Sequence, residues 1–501
     1  MSKKFKSVLL LALSDVFFIA FWLFMLVNPW ADANYPMQKQ WNVFFVLSAD
    51  TSGHDSGTGL SIFLGFVLPS ILIYLAYFFV RLGFYLKKKV LPDPKKTLLI
   101  TISAFIFSIA FTFIVNKGWN YIYINSLVKK APEQSDFYDE NFIPYDRVSL
   151  SVPSGKTNNL IYIFLESMEG SFSDVEHGGI LKYDLIPNLT KIASENTFFT
   201  SLTGTGGLEN LEATAWTSAG ILSKTLGVPY FLPFAADSDG NVKCLAKAKS
   251  LYDFLSEKGY RNVFAMGSEK QFENRDLILE NHNVEVHDIN YYKKHKLIPE
   301  DYQVFWGFED LKLYEMAKIE LEELAASGEK FSFSMLTVDT HFPNGYKCEK
   351  CRNVHSSQIE NVFDCSDRLV GEFISWIQEH EWAKDTTIVI TGDHAYLDAP
   401  LNNFIKKISA VPASKINSMR RVYNVYINPV PETAGLNCKR DYSSFDLMPT
   451  ILNAVGFDFD TEGIALGRSL FKGYPTVIEK YGRKETERQY LRKTVTYESL
   501  K

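Results

Sequence analysis

The sequence predicts an α/β domain with a mostly parallel sheet that follows a group of transmembrane helices. Three apolar runs near the N-terminus have the length that a helix needs to cross a bilayer, about 20 residues. After them, near-continuously apolar strand patterns alternate with helical patterns, which is typical of a parallel sheet covered on both faces. We expect a membrane part over residues 1–115, a connector over 116–157, an α/β domain over 158–475 and a charged tail over 476–501.

The overall charge gives no sign of a nucleic-acid partner. The 501 residues include 52 basic and 58 acidic side chains, so the formal net charge is −6. Nucleic-acid binding needs a basic surface, which this balance does not favour.

The predicted membrane helices cover residues 8–27, 59–80 and 97–115. A cleaved signal peptide is the alternative for the first run, but the run is too long for the apolar h-region of a signal peptide, lacks an A-x-A-like exit and is followed by further spans. Asp15 lies inside this run and would be costly to bury in lipid, so we expect it to face another helix or the interface. A contact with a proton or a lipid headgroup is the functional alternative for Asp15.

Lysine and arginine near the ends of these runs predict the orientation of the chain. Three lysines precede the first run and six basic residues lie in the 81–96 loop, whereas the 30–58 loop carries one lysine. The N-terminus and the 81–96 loop are therefore expected in the cytoplasm. Three spans then place everything after about residue 116 outside.

Five cysteines lie in this exported part, where an oxidising compartment favours disulfides. They are Cys244, Cys348, Cys351, Cys365 and Cys438. The segment CEKCRNVH has a C-x2-C-x3-H spacing that invites a zinc site, but a second metal-like pair at the usual separation is missing. A disulfide from Cys348 or Cys351 to Cys365 is the favoured alternative. The other two cysteines are expected to be structural, and the odd count leaves at least one thiol free.

Short apolar runs and helical spacing locate the elements of the exported domain. We predict strands over 159–167, 261–267, 331–341, 386–394 and 424–428. A long helix is predicted over 308–326, and apolar residues at helical spacing between Ile359 and Ile377 predict another.

Three of the predicted strands end in side chains that can do chemistry. Glu166 closes the first strand, Asp339 and His341 close the third, and Asp393 and His394 close the fourth. Ligands of open parallel sheets bind at this carboxyl edge, and Asp, Glu and His are ligands for Zn²⁺ or Mn²⁺. Asp339 is expected instead to anchor the loop after its strand.

The stretch LEATAWTSAG adds three hydroxyls, those of Thr214, Thr217 and Ser218, near a predicted helix start. A threonine hydroxyl is a poor nucleophile near neutral pH, but coordination to a metal would activate it. Helix N-terminal amides would also favour an anionic phosphate there. The segment by itself favours the simpler prediction that Thr214 or Thr217 caps the helix.

Seven stretches of the exported part resemble the sulfatase-like transferases of bacterial envelopes, which have the alkaline-phosphatase fold. They are NLIYIFLESMEGSFSD, TAWTSAGILSKTLGVPYF, GYRNVFAMGSEKQFENRD, FWGFED, FSFSMLTVDTHFPNGY, TTIVITGDH and LGRSLF. They follow the family order over about 159–471. Within this family the chain most resembles the phosphoglycerol transferases that act on membrane-derived oligosaccharides, and the lipoteichoic acid synthases are more distant.

The resemblance implies an alkaline-phosphatase-like α/β/α domain that holds one divalent ion, often Mn²⁺, with Mg²⁺ and Zn²⁺ left open. Glu166 matches the strand-end metal carboxylate, and Asp393 and His394 match the paired ligands of the DH motif. Thr217 matches the metal-bound nucleophile, because the family places Thr just before a small-residue x-A-G helix start. His341 matches a histidine that binds the substrate phosphate and acts as an acid or base.

The same resemblance implies a substrate pocket. Phe272 and Arg275 match residues that line the phosphoglycerol pocket in the teichoic acid branch, and the guanidinium fork suits phosphate. Trp216 either lines this pocket or packs under the helix. The chain departs from that branch at Met266, where the branch has a histidine, and this leaves headgroup recognition open.

The activity implied is the transfer of phosphoglycerol from phosphatidylglycerol to an envelope glycan through a phosphoglyceryl-threonine, with release of diacylglycerol. The implied location is the bacterial inner membrane, with the catalytic domain on its outer, periplasmic side. Transfer of phosphoethanolamine to lipopolysaccharide or glycan is the enzymatic alternative, and a scaffold without metal is the non-enzymatic one. A sulfatase proper is not expected, because its C/S-x-P-x-R setting is absent.

Overall fold

The chain divides into two compact units in the computed structural model. The first covers Met1–Pro132 with Ala399–Leu401, and the second covers Glu133–Asp398 with Asn402–Lys501. The structure describes residues 3–34, 63–88, 93–107, 136–200, 206–230, 245, 247–342, 344–396, 404–431 and 438–490.

The described part of the first unit is helical. Its helices are α1 (Lys3–Asn34), α2 (Leu68–Lys88), which follows a π-helical turn at Phe63–Val67, and α3 (94–107). One described helix, Phe63–Leu82, is long and apolar enough to cross a membrane, and α1 contains a shorter apolar stretch, Leu9–Leu23. The ends of the predicted runs 59–80 and 97–115, at 59–62 and 108–115, lie outside the described residues.

Asp15 on α1 forms a two-pronged ion pair with Arg81 on α2. The guanidinium nitrogens lie 2.7 and 3.0 Å from the two carboxylate oxygens. Arg81 also lies over the ring of Tyr77, 5.5 Å from its centroid. The expectation that Asp15 faces another helix is confirmed, and the pairing reduces the cost of an acidic side chain in an apolar helix.

A six-stranded sheet and a small two-stranded sheet form the β-structure of the second unit. The strands are β1 (Leu150–Ser151), β2 (Asn159–Leu165), β3 (Arg261–Met266), β4 (Glu285–His287), β5 (Phe331–Leu336), β6 (Thr386–Gly392), β7 (Asn424–Ile427) and β8 (Asp458–Phe459). The large sheet has the strand order β4-β3-β5-β2-β6-β7, in which five strands are parallel and β7 runs antiparallel to β6. The small sheet pairs β1 with β8 in antiparallel orientation.

Helices cover both faces of the large sheet, so that the domain has an α/β/α architecture. Alternate residues of β2 enter two separate apolar clusters: Leu160 and Phe164 enter one, and Ile161 and Ile163 enter the other. The helices are α4 (Phe137–Asn141), α5 (Pro187–Glu195), α6 (Thr217–Leu226), α7 (Leu251–Ser256), α8 (Arg275–Glu280), α9 (Ile289–Lys294), α10 (Asp310–Ser327), α11 (Gln358–Gln378), α12 (Phe404–Ile408), α13 (Ala413–Met419), α14 (Leu447–Val455), α15 (Val477–Tyr481) and α16 (Arg483–Tyr490).

The predicted α/β class, its five strands and its two long helices agree with the structure, whereas strand ends and the three short strands β1, β4 and β8 differ from the prediction. The strand predicted over 331–341 ends at Leu336, so Asp339 and His341 lie in the loop that follows it. The edge strand β4 has three residues, Glu285–His287, too few to show a period in the sequence.

The segments predicted as a connector and a tail contribute to the packed domain. Phe137, Tyr138 and Tyr145 are buried in the core, although their segment is rich in polar residues. Tyr490 at the end of α16 is also buried, and its carbonyl accepts a hydrogen bond from the Tyr138 hydroxyl. A few large aromatic side chains are enough to anchor a polar segment, since each buries a large apolar area.

Three cysteines lie close together at the start of α11. Cys351 and Cys365 form a disulfide, one of the two pairings expected from the sequence. Cys348 is a buried free thiol whose sulfur lies 3.4 Å from that of Cys351. The sulfurs of all three cysteines lie within 4.8 Å of one another, and the disulfide uses two of them. Cys438 is free, and Cys244 lies outside the described residues.

Asp339 anchors the loop after β5 to the start of α10. Its carboxylate accepts the backbone N–H of Asp310, and the Asp310 carboxylate accepts the N–H groups of Val338 and Asp339. Burial raises the pKa of Asp310 to about 7. Burial and then the charge of Asp310 raise the pKa of Asp339 well above its ordinary value. The pair therefore retains a proton that free aspartates would lose.

We predict that Asp339→Asn stabilises the domain more at pH 8 than at pH 5. Because the folded pair binds a proton that the unfolded chain releases above about pH 4, wild-type stability falls with rising pH, by about 1.4 kcal/mol per pH unit for each such proton. The amide keeps the acceptor oxygen for Asp310 and needs no proton. Thermal unfolding at both pH values measures the difference in Tm between variant and wild type. A difference that does not change with pH would contradict the shared proton.

Candidate active site

Two acidic residues meet at the carboxyl edge of the sheet because their strands are neighbours. Leu165 of β2 pairs in register with Gly392 of β6. Glu166 and Asp393 follow these residues directly, so the topology places their carboxylates side by side. Both are buried.

Only one of the two Asp393 carboxylate oxygens accepts hydrogen bonds from the described residues. Its Oδ1 accepts the backbone N–H groups of Ser167 and His394, both at 2.7 Å. Its Oδ2 is buried and has no hydrogen-bond donor within the described ranges. The His394 Nδ1 lies 2.9 Å from the carbonyl oxygen of Ala395, and a proton on Nδ1 that donates there leaves the Nε2 lone pair free. Nε2 lies 3.5 Å from Asp393 Oδ2 and 3.7 Å from Glu166 Oε1.

The described residues fit a divalent cation at this position. One potential ligand atom each from Glu166, Asp393 and His394 lies within 4.8 Å of the others. Two carboxylates and an imidazole whose other nitrogen is held by a carbonyl form a donor set typical of Zn²⁺ or Mn²⁺. A cation would also give Asp393 Oδ2 the partner that it lacks.

The pKa values record the same crowding of negative charge. Burial, and after it the charge of Glu166, raises the pKa of Asp393 to about 7. Burial lowers the pKa of His394, but the carboxylates of Asp393 and Glu166 outweigh that effect and raise it. A bound cation would reverse this balance, because it favours ionised carboxylates and a neutral imidazole.

Thr217 is the first residue of α6, and its hydroxyl points into this cluster. Oγ1 lies 3.3 Å from Glu166 Oε2 and 3.5 Å from His394 Nε2. The neighbouring hydroxyls have other partners: Thr214 donates to the carbonyl of Leu211 at 3.0 Å, outside α6. The structure thus brings together the four predicted metal-site residues, and of the three hydroxyls in LEATAWTSAG it places Thr217 in the cluster.

Helix α6 reaches the cluster because Gly220 permits a close approach. A Cβ at this position would lie 2.1 Å from the carbonyl oxygen of Asp393. Lys224, one helical turn further, is fully buried and donates to the same carbonyl oxygen. Burial lowers the pKa of Lys224 to about 7, although the charge of Asp393 opposes the shift. Lys224 is not among the site residues predicted from the sequence; a lysine inside the apolar pattern GILSKTLG was the available signal.

The predicted substrate residues His341 and Phe272 are connected through an aromatic side chain. The rings of Trp306 and His341 are 4.8 Å apart, and those of Trp306 and Phe272 are 5.3 Å apart. His341 Nδ1 lies 2.8 Å from the carbonyl oxygen of Phe342. Its loop is tied to the metal site, because the Thr340 hydroxyl donates to the carbonyl of Glu166. Among the described residues, no hydrogen bond joins His341 to Thr217.

Arg275 lies beside Phe272 and is buried, with its guanidinium 5.3 Å from the ring centroid. It donates to the backbone carbonyls of Phe272 and Glu269. Trp216 precedes α6, and its ring lies 6.3 Å from that of Tyr230 beside the apolar core. A pocket-lining role for Trp216 remains a prediction.

Glu273, also absent from the site residues predicted from the sequence, lies between Phe272 and Arg275 in sequence. Its Oε2 accepts the backbone N–H of Ser218 at 3.3 Å and the Ser218 hydroxyl at 2.6 Å. The carboxylate is therefore at the first turn of α6, next to Thr217. A charged residue within the predicted pocket segment QFENRD was the only hint in the sequence.

Comparison with known families agrees with this arrangement. The family model described as Sulfatase matches residues 158–457, more than half of the chain. The chain belongs to the sulfatase family. This matched region of the sulfatase-family chain includes all strands of the large sheet, Glu166, Thr217 and the Asp393–His394 pair.

Curated relatives of this sulfatase-family chain include phosphoglycerol transferase I of Escherichia coli and of Shigella boydii. Each is 29% identical over 358 residues, which are 70% of this chain and 43% of the relative. The match therefore spans less than half the length of these relatives. Among solved structures, the lipoteichoic acid synthase LtaP from Listeria monocytogenes is similar in fold, with a TM-score of 0.51, 19% identity and coverage of 65% of this chain and 79% of that one.

We predict that Mn²⁺ raises the Tm of the chelator-treated sulfatase-family chain and that Asp393→Asn abolishes this rise. A ligand that binds the folded state stabilises it by about 2.7 kcal/mol at a hundredfold excess over Kd. Scanning calorimetry with and without Mn²⁺ measures the shift. The control is Asp367→Asn, a buried aspartate on α11 that accepts the N–H groups of Asn188 and Leu189. A full Mn²⁺ shift in Asp393→Asn would contradict the site.

We also predict that Gly220→Ala removes the Mn²⁺ shift without unfolding the domain. The added methyl group cannot lie 2.1 Å from the Asp393 carbonyl, so α6 and Asp393 must move apart. Ala219→Gly is the matched control, because it changes helix propensity by about 1 kcal/mol at the neighbouring position. We expect the control to lower Tm and keep the shift. Retention of the shift in Gly220→Ala would show that the close approach is unimportant for metal binding.

Proposed function

We propose that this protein transfers phosphoglycerol from phosphatidylglycerol to a glycan of the cell envelope and releases diacylglycerol. The observation that carries the proposal is the position of Thr217 Oγ1, between a carboxylate and an imidazole at the start of a helix. The relatives named phosphoglycerol transferase I and the fold similarity to LtaP support the choice of the transferred group.

The proposed location is the bacterial inner membrane, with the sulfatase-like domain on its outer side. The apolar helix Phe63–Leu82 and the apolar stretch Leu9–Leu23 support a membrane anchor. The basic residues near the predicted spans support the orientation. An anchor suits this activity, because the lipid donor presents its phosphate at the bilayer surface.

In the first displacement, Thr217 Oγ1 attacks the phosphorus of the donor while its proton passes toward Glu166 Oε2, 3.3 Å away. The bond from phosphorus to the diacylglycerol oxygen breaks, and His341 protonates that oxygen. A divalent cation, with Mn²⁺ as the first choice, would lower the pKa of the threonine hydroxyl and polarise the phosphoryl group when bound. The N–H groups and the helix dipole at the start of α6 favour the anionic phosphate.

In the second displacement, an acceptor hydroxyl attacks the phosphoglyceryl-threonine. His341, now unprotonated, takes the proton of that hydroxyl, and Thr217 Oγ1 leaves and recovers its own proton. Arg275 and Phe272 orient the glycerol phosphate, and Trp306 holds the His341 ring in place. The two steps form a ping-pong scheme in which the donor product leaves before the acceptor reacts.

We predict that incubation with vesicles of phosphatidylglycerol gives a phosphoglycerol adduct on Thr217, detected by peptide mass spectrometry. Thr217→Ala is expected to lose both the adduct and diacylglycerol release, because the nucleophilic oxygen is gone. Thr214→Ala is the matched control, since it removes a hydroxyl three residues away that bonds Leu211 outside the cluster. Vesicles that contain phosphatidylethanolamine test the alternative, in which phosphoethanolamine is the transferred group. An unmodified Thr217 in an active preparation would overturn the scheme.

A further inference from the structure

The carboxylate of Glu273 occupies hydrogen-bond donors that a substrate phosphate would need. Its Oε2 takes both the backbone N–H and the hydroxyl of Ser218, the residue that follows Thr217. Phosphorus must come within bonding distance of Thr217 Oγ1 during the reaction. The N–H at the next position of the helix start is then a natural donor to a phosphoryl oxygen.

A carboxylate and a phosphoryl oxygen cannot use this donor together. Both are anionic acceptors, and like charges a few ångströms apart repel strongly in a site that excludes water. Glu166 and Asp393 already place two carboxylates in the cluster that Thr217 contacts. A donor phosphate that binds here must therefore displace Glu273 from Ser218.

The backbone around Glu273 allows such a displacement. Glu273 has a φ of 56°, a left-handed conformation that is unfavourable for a residue with a side chain and that persists only where other interactions hold it. The bonds to Ser218 supply that hold. The flanking residues are fixed independently, because Arg275 is buried and bonds the carbonyls of Phe272 and Glu269. Release of the Ser218 bonds frees Glu273 while Phe272 and Arg275 stay in place.

We propose that Glu273 is a gate residue of the phosphate subsite, which its carboxylate closes in the free protein and which an incoming phosphate anion opens. This inference rests on the proposed function for the identity of the donor, but it concerns the phosphate group alone. Glu273 competes with the donor for Ser218 and contributes no attraction to the phosphate. Closure and phosphate binding exclude each other. The apparent affinity for phosphate is therefore proportional to the fraction of molecules in the open state.

The test measures the binding of inorganic phosphate to the Mn²⁺-loaded full chain in detergent, by titration calorimetry. Glu273→Gln keeps the length of the side chain and removes its charge, so we expect about tenfold tighter phosphate binding. Ser218→Ala keeps the charge but removes the 2.6 Å bond that holds the gate closed, so we expect a smaller gain of the same sign. In the double variant the gains are not additive, because both act on one closed state.

The control is Glu280→Gln, which removes a negative charge at the end of α8 from a residue that pairs with Lys270 instead. We expect its phosphate affinity to equal that of the wild type. Unchanged or weaker phosphate binding in Glu273→Gln would overturn the gate, and weaker binding would mean that Glu273 helps to hold the ligand. Absence of phosphate binding in all variants would overturn it too.

The outcome is independent of the donor lipid. Tighter phosphate binding in Glu273→Gln without a Thr217 adduct from phosphatidylglycerol would keep the gate and refute the proposed donor. A Thr217 adduct together with unchanged phosphate binding in Glu273→Gln would keep the donor and refute the gate.

Discussion

The site depends on two carboxylates that the sheet forces together in a buried place. Glu166 and Asp393 follow neighbouring parallel strands, so any fold with this strand order brings their charges into contact. Burial of like charges is costly unless a cation compensates them. Within the described part of the chain, Lys224 bonds the carbonyl of Asp393, and Arg275 bonds two other carbonyls. The remaining negative charge favours a cation at the cluster, and the two apolar clusters on the faces of the sheet stabilise the domain against the cost of burying that charge.

Helix α6 connects the two buried carboxylates with the Thr217 hydroxyl. Thr217, Gly220 and Lys224 are spaced by three and four residues, so they lie on one face of the helix. Thr217 presents the hydroxyl, and Gly220 allows the helix to contact the loop after β6. Lys224 donates a hydrogen bond to the Asp393 carbonyl in that loop. One helical face thus determines how far the Thr217 hydroxyl lies from the carboxylates, and a change at any of the three positions alters the same distance.

The sequence was sufficient for the parts of the site that follow from periodicity and strand ends. Glu166 and Asp393 could be found because each directly follows an apolar run that predicts a strand. The family pattern distinguished Thr217 from Thr214 and Ser218. Lys224 and Glu273 could not be found this way, because their importance arises from contacts between segments far apart in the chain. The buried aromatic residues of the connector were missed for a related reason: Tyr138 packs with Tyr490, more than 350 residues away, and no local pattern records that contact.

The packing of the two ends of the domain sets the smallest piece of chain that can be cut out intact. The family match covers 158–457, but β1 pairs with β8 at Leu150–Phe459, and the Tyr138 hydroxyl bonds the carbonyl of Tyr490. A protease that cuts near residue 157 would remove one strand of the small sheet and uncover the aromatic cavities that held Phe137 and Tyr138. An intact fragment of the second unit is therefore expected to run from before Phe137 to at least Tyr490, and shorter fragments would expose an apolar surface.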